Sequence, residues 1–156
     1  MQYVRVTEAE LARLRELVID DPNGAYDWVD ELADDSDERT LDTDKAWAAI
    51  AYLLRQLGTA PVDPVNGGEE LTPDEWGYGP PRWLSVAAVA AAATYLDNTP
   101  FGALEPHLDP VRMEGIYPEI WNEEWAGDYV RRWYESLVEF FVATAADRDA
   151  LIVYLS

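Results

Sequence analysis

Three stretches of the sequence place charged or hydroxyl-bearing side chains beside large aromatic rings. They span residues 41–47, 77–84 and 116–121. The side chains in them that could bind a small molecule are Asp42, Asp44, Lys45, Trp47, Tyr78, Arg82, Tyr117 and Trp121. Lys45 and Arg82 would hold an anionic group through charge-assisted hydrogen bonds. A hydroxyl from Tyr78 or Tyr117 would complete a pocket between the 77–84 loop and the helix start at residues 42–47.

The same stretches also fit a purely structural interpretation. In this alternative, the carboxylates of Asp42 and Asp44 belong to a polar network that ties the helix start to the glycine-containing loop. Lys45 and Arg82 are each expected to pair with a carboxylate, because the chain is strongly acidic. Three indole rings would pack beneath the network, those of Trp47, Trp83 and Trp121. The two interpretations differ in whether a polar pocket remains at this junction.

The sequence offers few groups for catalysis. It contains no cysteine, which excludes thiolate nucleophiles and thiolate zinc sites. Its one histidine, His107, lies between Pro106 and Leu108, and no serine stands in a G-x-S-x-G motif. Gly77 and Gly79 lack the G-K-[ST] ending of a phosphate-binding loop. We therefore assign no catalytic residue, expect no cofactor and favour a non-catalytic protein.

The chain carries a large negative charge that is concentrated in one segment. It has 31 acidic and 11 basic side chains, which gives a net charge of −20. Nucleic acids and anionic membranes are bound through basic surfaces, so we expect neither as a partner. Residues 20–44 contain eleven acids and one base and therefore hold half of the net charge. This segment is a candidate interaction surface.

The acidic segment predicts a docking surface for a basic protein partner. Its acidic groups include Asp30, Glu31, Asp34, Asp35, Asp37 and Glu38. Electrostatic steering would attract such a partner, as it would for an immunity protein that neutralises a basic toxin. In the alternative interpretation, the acids only keep the protein in solution. We predict no metal site, because Arg39 occupies the third ligand position of an EF-hand-like pattern whose glycine is missing.

Helices must position most of these groups. Thr7 and Glu10 form a capping box for the first helix, and Ser85 caps an alanine-rich one. Further helices are predicted over residues 25–33, 43–57 and 125–145, with short helical turns at 72–75 and after Thr99 and Asp109. Strands are predicted at residues 3–6 and 150–155, with sheet partners near 39–41 and 82–84. We predict a single α/β domain over residues 1–156, with α+β as the alternative. It would be helix-rich, and helices would cover a small mixed sheet that includes both chain termini.

Three stretches together resemble the YfbM-like family of bacterial proteins of unknown function. The first runs from Leu41 to Trp47 and is followed by Tyr52, Leu53 and Leu54. The second contains Gly77-Tyr78-Gly79-Pro80 and Arg82-Trp83-Leu84, and the third runs from Ile116 to Trp121. Their order and spacing span nearly the whole chain. The resemblance implies a single α/β domain of sheet and helices, and it implies no reaction or ligand.

We expect a cytoplasmic protein. The first six residues have neither the apolar core nor the cleavage site of a secretory signal. The longest strongly apolar stretch, residues 86–93, is far shorter than the roughly 20 residues that span a bilayer. We favour an interaction protein that uses the acidic segment, with a small-molecule-binding or small enzyme domain as the alternative.

Overall fold

The two ends of the chain pair with each other in the middle of one sheet. The computed structural model describes residues 1–34 and 37–156. Strand β1 (Gln2–Val6) runs antiparallel to strand β5 (Ala150–Tyr154), in a register that places Val4 opposite Ile152. All five residues of β5 are buried, because both faces of the sheet are covered.

Three shorter strands extend the sheet on both sides. They are β2 (Thr40–Asp42) beside β1, β4 (Arg82–Leu84) beside β5, and β3 (Glu69–Glu70) at the outer edge of β4. The predicted sheet partners near residues 39–41 and 82–84 are therefore confirmed. Every strand pair of the described chain is antiparallel. The prediction of a mixed sheet is therefore wrong on this point. Apolar alternation identifies the buried face of a strand but not its direction, which the connecting segments decide.

Six α-helices lie in the described residues. They are α1 (Glu8–Asp20), α2 (Pro22–Asp34), α3 (Trp47–Gln56), α4 (Val86–Asp97), α5 (Phe101–Leu104) and α6 (Ala126–Asp147). Short 3-10 helices lie at Asp37–Arg39, Asp44–Ala46 and Glu105–His107. No described helix is both long and apolar enough to cross a membrane. The predicted helix-rich α/β architecture with both termini in the sheet is confirmed.

The central strands divide the core into two parts. Successive side chains of a strand point to opposite faces of the sheet. Tyr3 and Val153 accordingly belong to the larger part, together with residues of α3, α4, α5 and α6. Val4 and Ile152 belong to the smaller part, together with residues of α1 and α2.

Two predicted helix starts are confirmed by their hydrogen bonds. At α1, the Thr7 hydroxyl accepts a hydrogen bond from the Glu10 N–H (3.2 Å), and the Glu10 carboxylate accepts one from the Thr7 N–H (2.8 Å). At α4, the Ser85 hydroxyl accepts a hydrogen bond from the Ala88 N–H (3.2 Å). Each cap satisfies backbone donors that have no partner inside the helix.

Three other predicted segments differ from the structure. Helix α2 begins at Pro22 rather than at residue 25, because the Asp21 carboxylate caps its first turn and proline is tolerated at the first helical position. Residues 72–75 form no helix. The segment after Asp109 forms turns only, and the Asp109 carboxylate accepts a hydrogen bond from the Val111 N–H (3.0 Å).

Candidate functional site

A cavity of about 480 Å³ opens where the first strand begins and the last strand ends. It is lined by Met1, Asp42, Asp44, Lys45, Trp47, Tyr78, Tyr117, Leu155 and Ser156. Six of the eight side chains proposed for a pocket from the sequence line this cavity, whereas Arg82 and Trp121 do not. Its volume lies in the range of small-molecule sites. We refer to this cavity as the β1–β5 pocket.

Strand pairing brings the lining segments together. Asp42, the last residue of β2, lies opposite Gln2 of β1, which in turn lies opposite the last residue of β5. The glycine-containing loop is fixed beside them, because the Tyr78 N–H donates a hydrogen bond to the Leu155 carbonyl (2.7 Å). Gly77 has a φ of +78°, and a Cβ at this position would lie 2.3 Å from the same carbonyl oxygen. Glycine is therefore required at this close approach.

Asp42 and Asp44 form an acidic corner of the pocket that hydrogen bonds hold in place. The Asp42 Oδ1 accepts hydrogen bonds from the Asp44 N–H (2.8 Å) and from the amino group of Met1 (3.3 Å). Asp44 has a φ of +47°, a left-handed conformation that aspartate adopts more readily than most residues. The Tyr129 hydroxyl donates to the Asp44 Oδ2 (2.9 Å) and accepts from the Lys45 N–H (3.1 Å).

Tyr129 is a site residue that the sequence did not reveal. It lies on α6, which packs against the 3-10 helix Asp44–Ala46. Burial, followed by the hydrogen bond to the Asp44 carboxylate, raises the pKa of Tyr129 to about 12. The phenol therefore keeps its proton and remains a donor to Asp44. No pattern in the sequence separates Tyr129 from the other aromatic residues of this helix, so only the packing of α6 identifies it.

Trp47 and Tyr117 form an aromatic wall of the pocket. Their ring centroids are 6.3 Å apart and their planes are tilted by 31°, which is within the contact range of an aromatic pair. Tyr117 is 50% exposed and Tyr78 is 80% exposed. Neither of these two hydroxyls has a hydrogen-bond partner in the described part of the chain. The pocket thus combines exposed ring surface with unengaged hydroxyl groups.

Neither predicted cation pairs with a carboxylate within residues 1–34 and 37–156. Lys45 is exposed, and its ammonium group makes no ion pair there. Arg82 instead donates from Nε to the Gly67 carbonyl (3.2 Å) and from Nη2 to the Gly68 carbonyl (2.7 Å). The planar guanidinium suits two neighbouring acceptors. Arg82 therefore holds the loop before β3 and does not line the pocket.

The three predicted indole rings do not pack together beneath the pocket. Trp121 is 6% exposed, donates its indole N–H to the Ile116 carbonyl (2.7 Å) and lines a separate cavity of about 350 Å³. Trp83 packs against the smaller part of the core, where the Arg15 guanidinium lies 5.0 Å from its ring centroid. Only Trp47 lines the β1–β5 pocket. Sequence spacing could not predict this separation, because it depends on which face of the sheet each ring packs against.

The predicted partner surface lies on α2 and in the 3-10 helix that follows it. Asp30, Glu31 and Asp34 belong to α2, Asp37 and Glu38 belong to the 3-10 helix, and Asp35 lies outside the described residues. The side chains of Asp30, Glu31 and Glu38 are exposed. Arg39, the one base in residues 20–44, pairs with the Glu10 carboxylate of α1 (3.0 Å). Among the described residues, no cation lies within ion-pair distance of Asp30 or Glu31.

We predict that Tyr129→Phe lowers the free energy of unfolding by about 1 kcal/mol at neutral pH, because it removes the hydrogen bonds to Asp44 and Lys45. The folded state holds the phenol proton more tightly than the unfolded chain, since the pKa rises from 10.0 to about 12. The difference in the free energy of unfolding between wild type and Tyr129→Phe therefore has its full size below pH 10 and shrinks as the pH rises toward 12.

Urea denaturation over a series of pH values measures this difference. Tyr52→Phe is the control, because the Tyr52 hydroxyl makes no hydrogen bond to the described residues. A Tyr129→Phe protein as stable as wild type at neutral pH would contradict the assigned hydrogen bonds. So would a stability difference that stays constant above pH 10.

Comparison with known proteins identifies a family. Searches of the curated proteins and of the solved structures found no significant match. One family model, described as a domain of unknown function, matches residues 1–154 and so covers nearly the whole chain. The chain therefore belongs to the DUF1877 family.

Proposed function

We propose that the protein binds a small molecule in the β1–β5 pocket and does not transform it. The observation that carries this proposal is aromatic surface in the pocket, from the exposed Tyr78 and Tyr117 and the partly buried Trp47, beside polar groups that make no hydrogen bond within the described residues. Small-molecule sites combine apolar walls with a few well-placed polar groups in this way.

The two unused carboxylate oxygens are already oriented, whereas the Lys45 ammonium is exposed and has no partner within the described residues. Asp42 Oδ2, Asp44 Oδ1 and the Lys45 ammonium make no hydrogen bond or ion pair within the described residues. The other oxygen of each carboxylate is engaged, and Tyr129 holds both Asp44 and the Lys45 backbone. A ligand would therefore meet two carboxylates that hydrogen bonds already hold in place, which reduces the conformational entropy lost on binding.

A binding role fits the chemistry of the pocket better than a catalytic one. The one histidine of the chain, His107, is not among the residues that line it. Asp42 and Asp44 are both exposed, whereas a carboxyl group that acts as a proton donor is usually buried in apolar surroundings. Within the described residues, no hydroxyl group of a lining residue makes the hydrogen bond to a base that would activate it as a nucleophile.

The acidic segment supports a second proposal, a surface for a basic protein partner, as in an immunity protein. Asp30 and Glu31 are exposed on α2 and lack a cation within ion-pair distance in the described part of the chain. Complementary positive charge on a partner would be attracted to them. The same exposure also promotes solubility. Because exposed acids have this second explanation, the acidic segment supports a partner surface less strongly than the pocket supports ligand binding.

We further infer that the chain is a YfbM-like protein that acts as a single domain in the bacterial cytoplasm. The three stretches that carry this resemblance all contribute to the β1–β5 pocket. Residues 41–47 contribute four lining side chains, and the other two stretches contribute Tyr78 and Tyr117. Recovery of the protein from the membrane or secreted fraction of its host would contradict the proposed location.

We predict that NMR titration with a library of varied small fragments shifts the amide signals of Lys45, Trp47 and Tyr78 together. Tyr78→Ala should weaken the binding of such a fragment by about 1–2 kcal/mol, because it removes ring surface from the pocket. Ile19→Ala is the matched control, since Ile19 is also 80% exposed and lies outside the pocket. The proposal fails if no fragment shifts these signals, or if both variants weaken binding equally.

For the second proposal, we predict that protein capture by the purified chain from an extract of its host decreases as salt is added. Replacement of both Asp30 and Glu31 by lysine should abolish this capture at low salt, because it reverses the attraction. The same replacement at Glu123 and Glu124, two exposed acids outside the segment, is the control of equal charge change. Capture that is equal at low and high salt would exclude an electrostatic docking surface.

A further inference from the structure

The surfaces of the β1–β5 pocket restrict the chemistry of its ligand. We propose that this ligand is a neutral, saturated ring with several hydroxyl groups, that is, a carbohydrate unit. The inference rests on the proposed binding function and names the class of molecule that the pocket takes. It is carried by the hydrogen-bonding groups of the pocket, by its charge and by the arrangement of its aromatic wall.

The hydrogen-bonding groups require a ligand that both donates and accepts. The unused carboxylate oxygens of Asp42 and Asp44 can only accept, and the Lys45 ammonium can only donate. A hydroxyl group satisfies both kinds of partner. The hydroxyls of Tyr78 and Tyr117 can bond to it in either direction. Several hydroxyls on one ring could therefore engage the carboxylates and the ammonium group together, whereas an isolated amine or carboxylate could engage only one kind.

The charge of the pocket favours a neutral ligand. A phosphate or carboxylate would approach two carboxylates on a chain of net charge −20, and among the described residues Lys45 is the one cationic side chain in the lining. A cation would be attracted by Asp42 and Asp44, but it would lie near Lys45 and near the amino group that already binds Asp42. A neutral hydroxyl-rich ring avoids both repulsions and still forms charge-assisted hydrogen bonds.

The aromatic wall suits the C–H face of a saturated ring. Trp47 and Tyr117 contact each other, with ring centroids 6.3 Å apart, so a ligand packs against them from one side and not between them. A sugar ring carries apolar C–H groups on its face and hydroxyls around its rim. Its face can therefore lie on the wall while its rim reaches Asp42 and Lys45, which line the same cavity.

Titration calorimetry of the whole chain with glucose, galactose, mannose and N-acetylglucosamine tests this inference. We expect at least one of these sugars to bind with a Kd of about millimolar or tighter, equally at low and high salt. Asp42→Asn and Lys45→Met should each raise this Kd about tenfold, because each removes a charge-assisted hydrogen bond. Asp97→Asn and Arg55→Met are matched controls, since both residues are exposed and make no ion pair within the described chain.

Two charged probes, glucose 6-phosphate and choline, separate this inference from the proposal on which it rests. If only a charged probe binds, and Tyr78→Ala weakens the binding of that probe, the carbohydrate inference is overturned and the binding function of the pocket stands. A neutral sugar that binds Asp42→Asn and Lys45→Met as tightly as wild type also overturns the inference, because it binds elsewhere. If no sugar, charged probe or fragment binds, both fail. Circular dichroism of each variant verifies that it is folded.

Discussion

The antiparallel pairing of β1 with β5 is the interaction on which the rest of the structure depends. It joins the two ends of the chain in the middle of the sheet and decides which side chains face each layer of helices. Val4 and Ile152 face one layer, whereas Tyr3 and Val153 face the other. A shift of this register by one residue would exchange the two sets and disrupt both parts of the core. Because the β1–β5 pocket lies at one end of this pair, the same register fixes its geometry.

The sequence allowed two alternative interpretations, a polar network and a pocket, and the structure contains both. Asp42 and Asp44 are held by a network, but its third side chain is Tyr129 rather than Arg82. This network engages one oxygen of each carboxylate and leaves Lys45 without an ion pair in the described chain. Hydrogen bonds within the protein thus orient the same groups that line the cavity. Hydrogen bonds hold the two carboxylates at the base of the pocket, which is the preorganisation that the proposed ligand site needs.

Local patterns predicted the elements of the fold better than they predicted the directions of side chains. The Thr7 capping box, the Ser85 cap and the apolar runs depend on neighbours within a few positions, and they located the starts of α1 and α4 and both central strands. The sequence analysis placed Arg82 beside the pocket, but Arg82 lies in a three-residue strand. The pairing of this strand directs the guanidinium toward Gly67. Tyr129 was missed because it reaches Asp44 across 85 positions of the chain. Such long-range contacts leave no local pattern in the sequence.

The central claim is that the β1–β5 pocket receives a ligand, and nuclear Overhauser effects between ligand and protein test it most directly. The measurement is made at saturation with the sugar that binds most tightly. We predict contacts from the C–H protons of the sugar ring to the aromatic protons of Trp47 and Tyr117, which form the wall of the pocket. A saturated complex whose contacts reach neither of these rings, and lie instead on α2 or around Trp121, would contradict the claim.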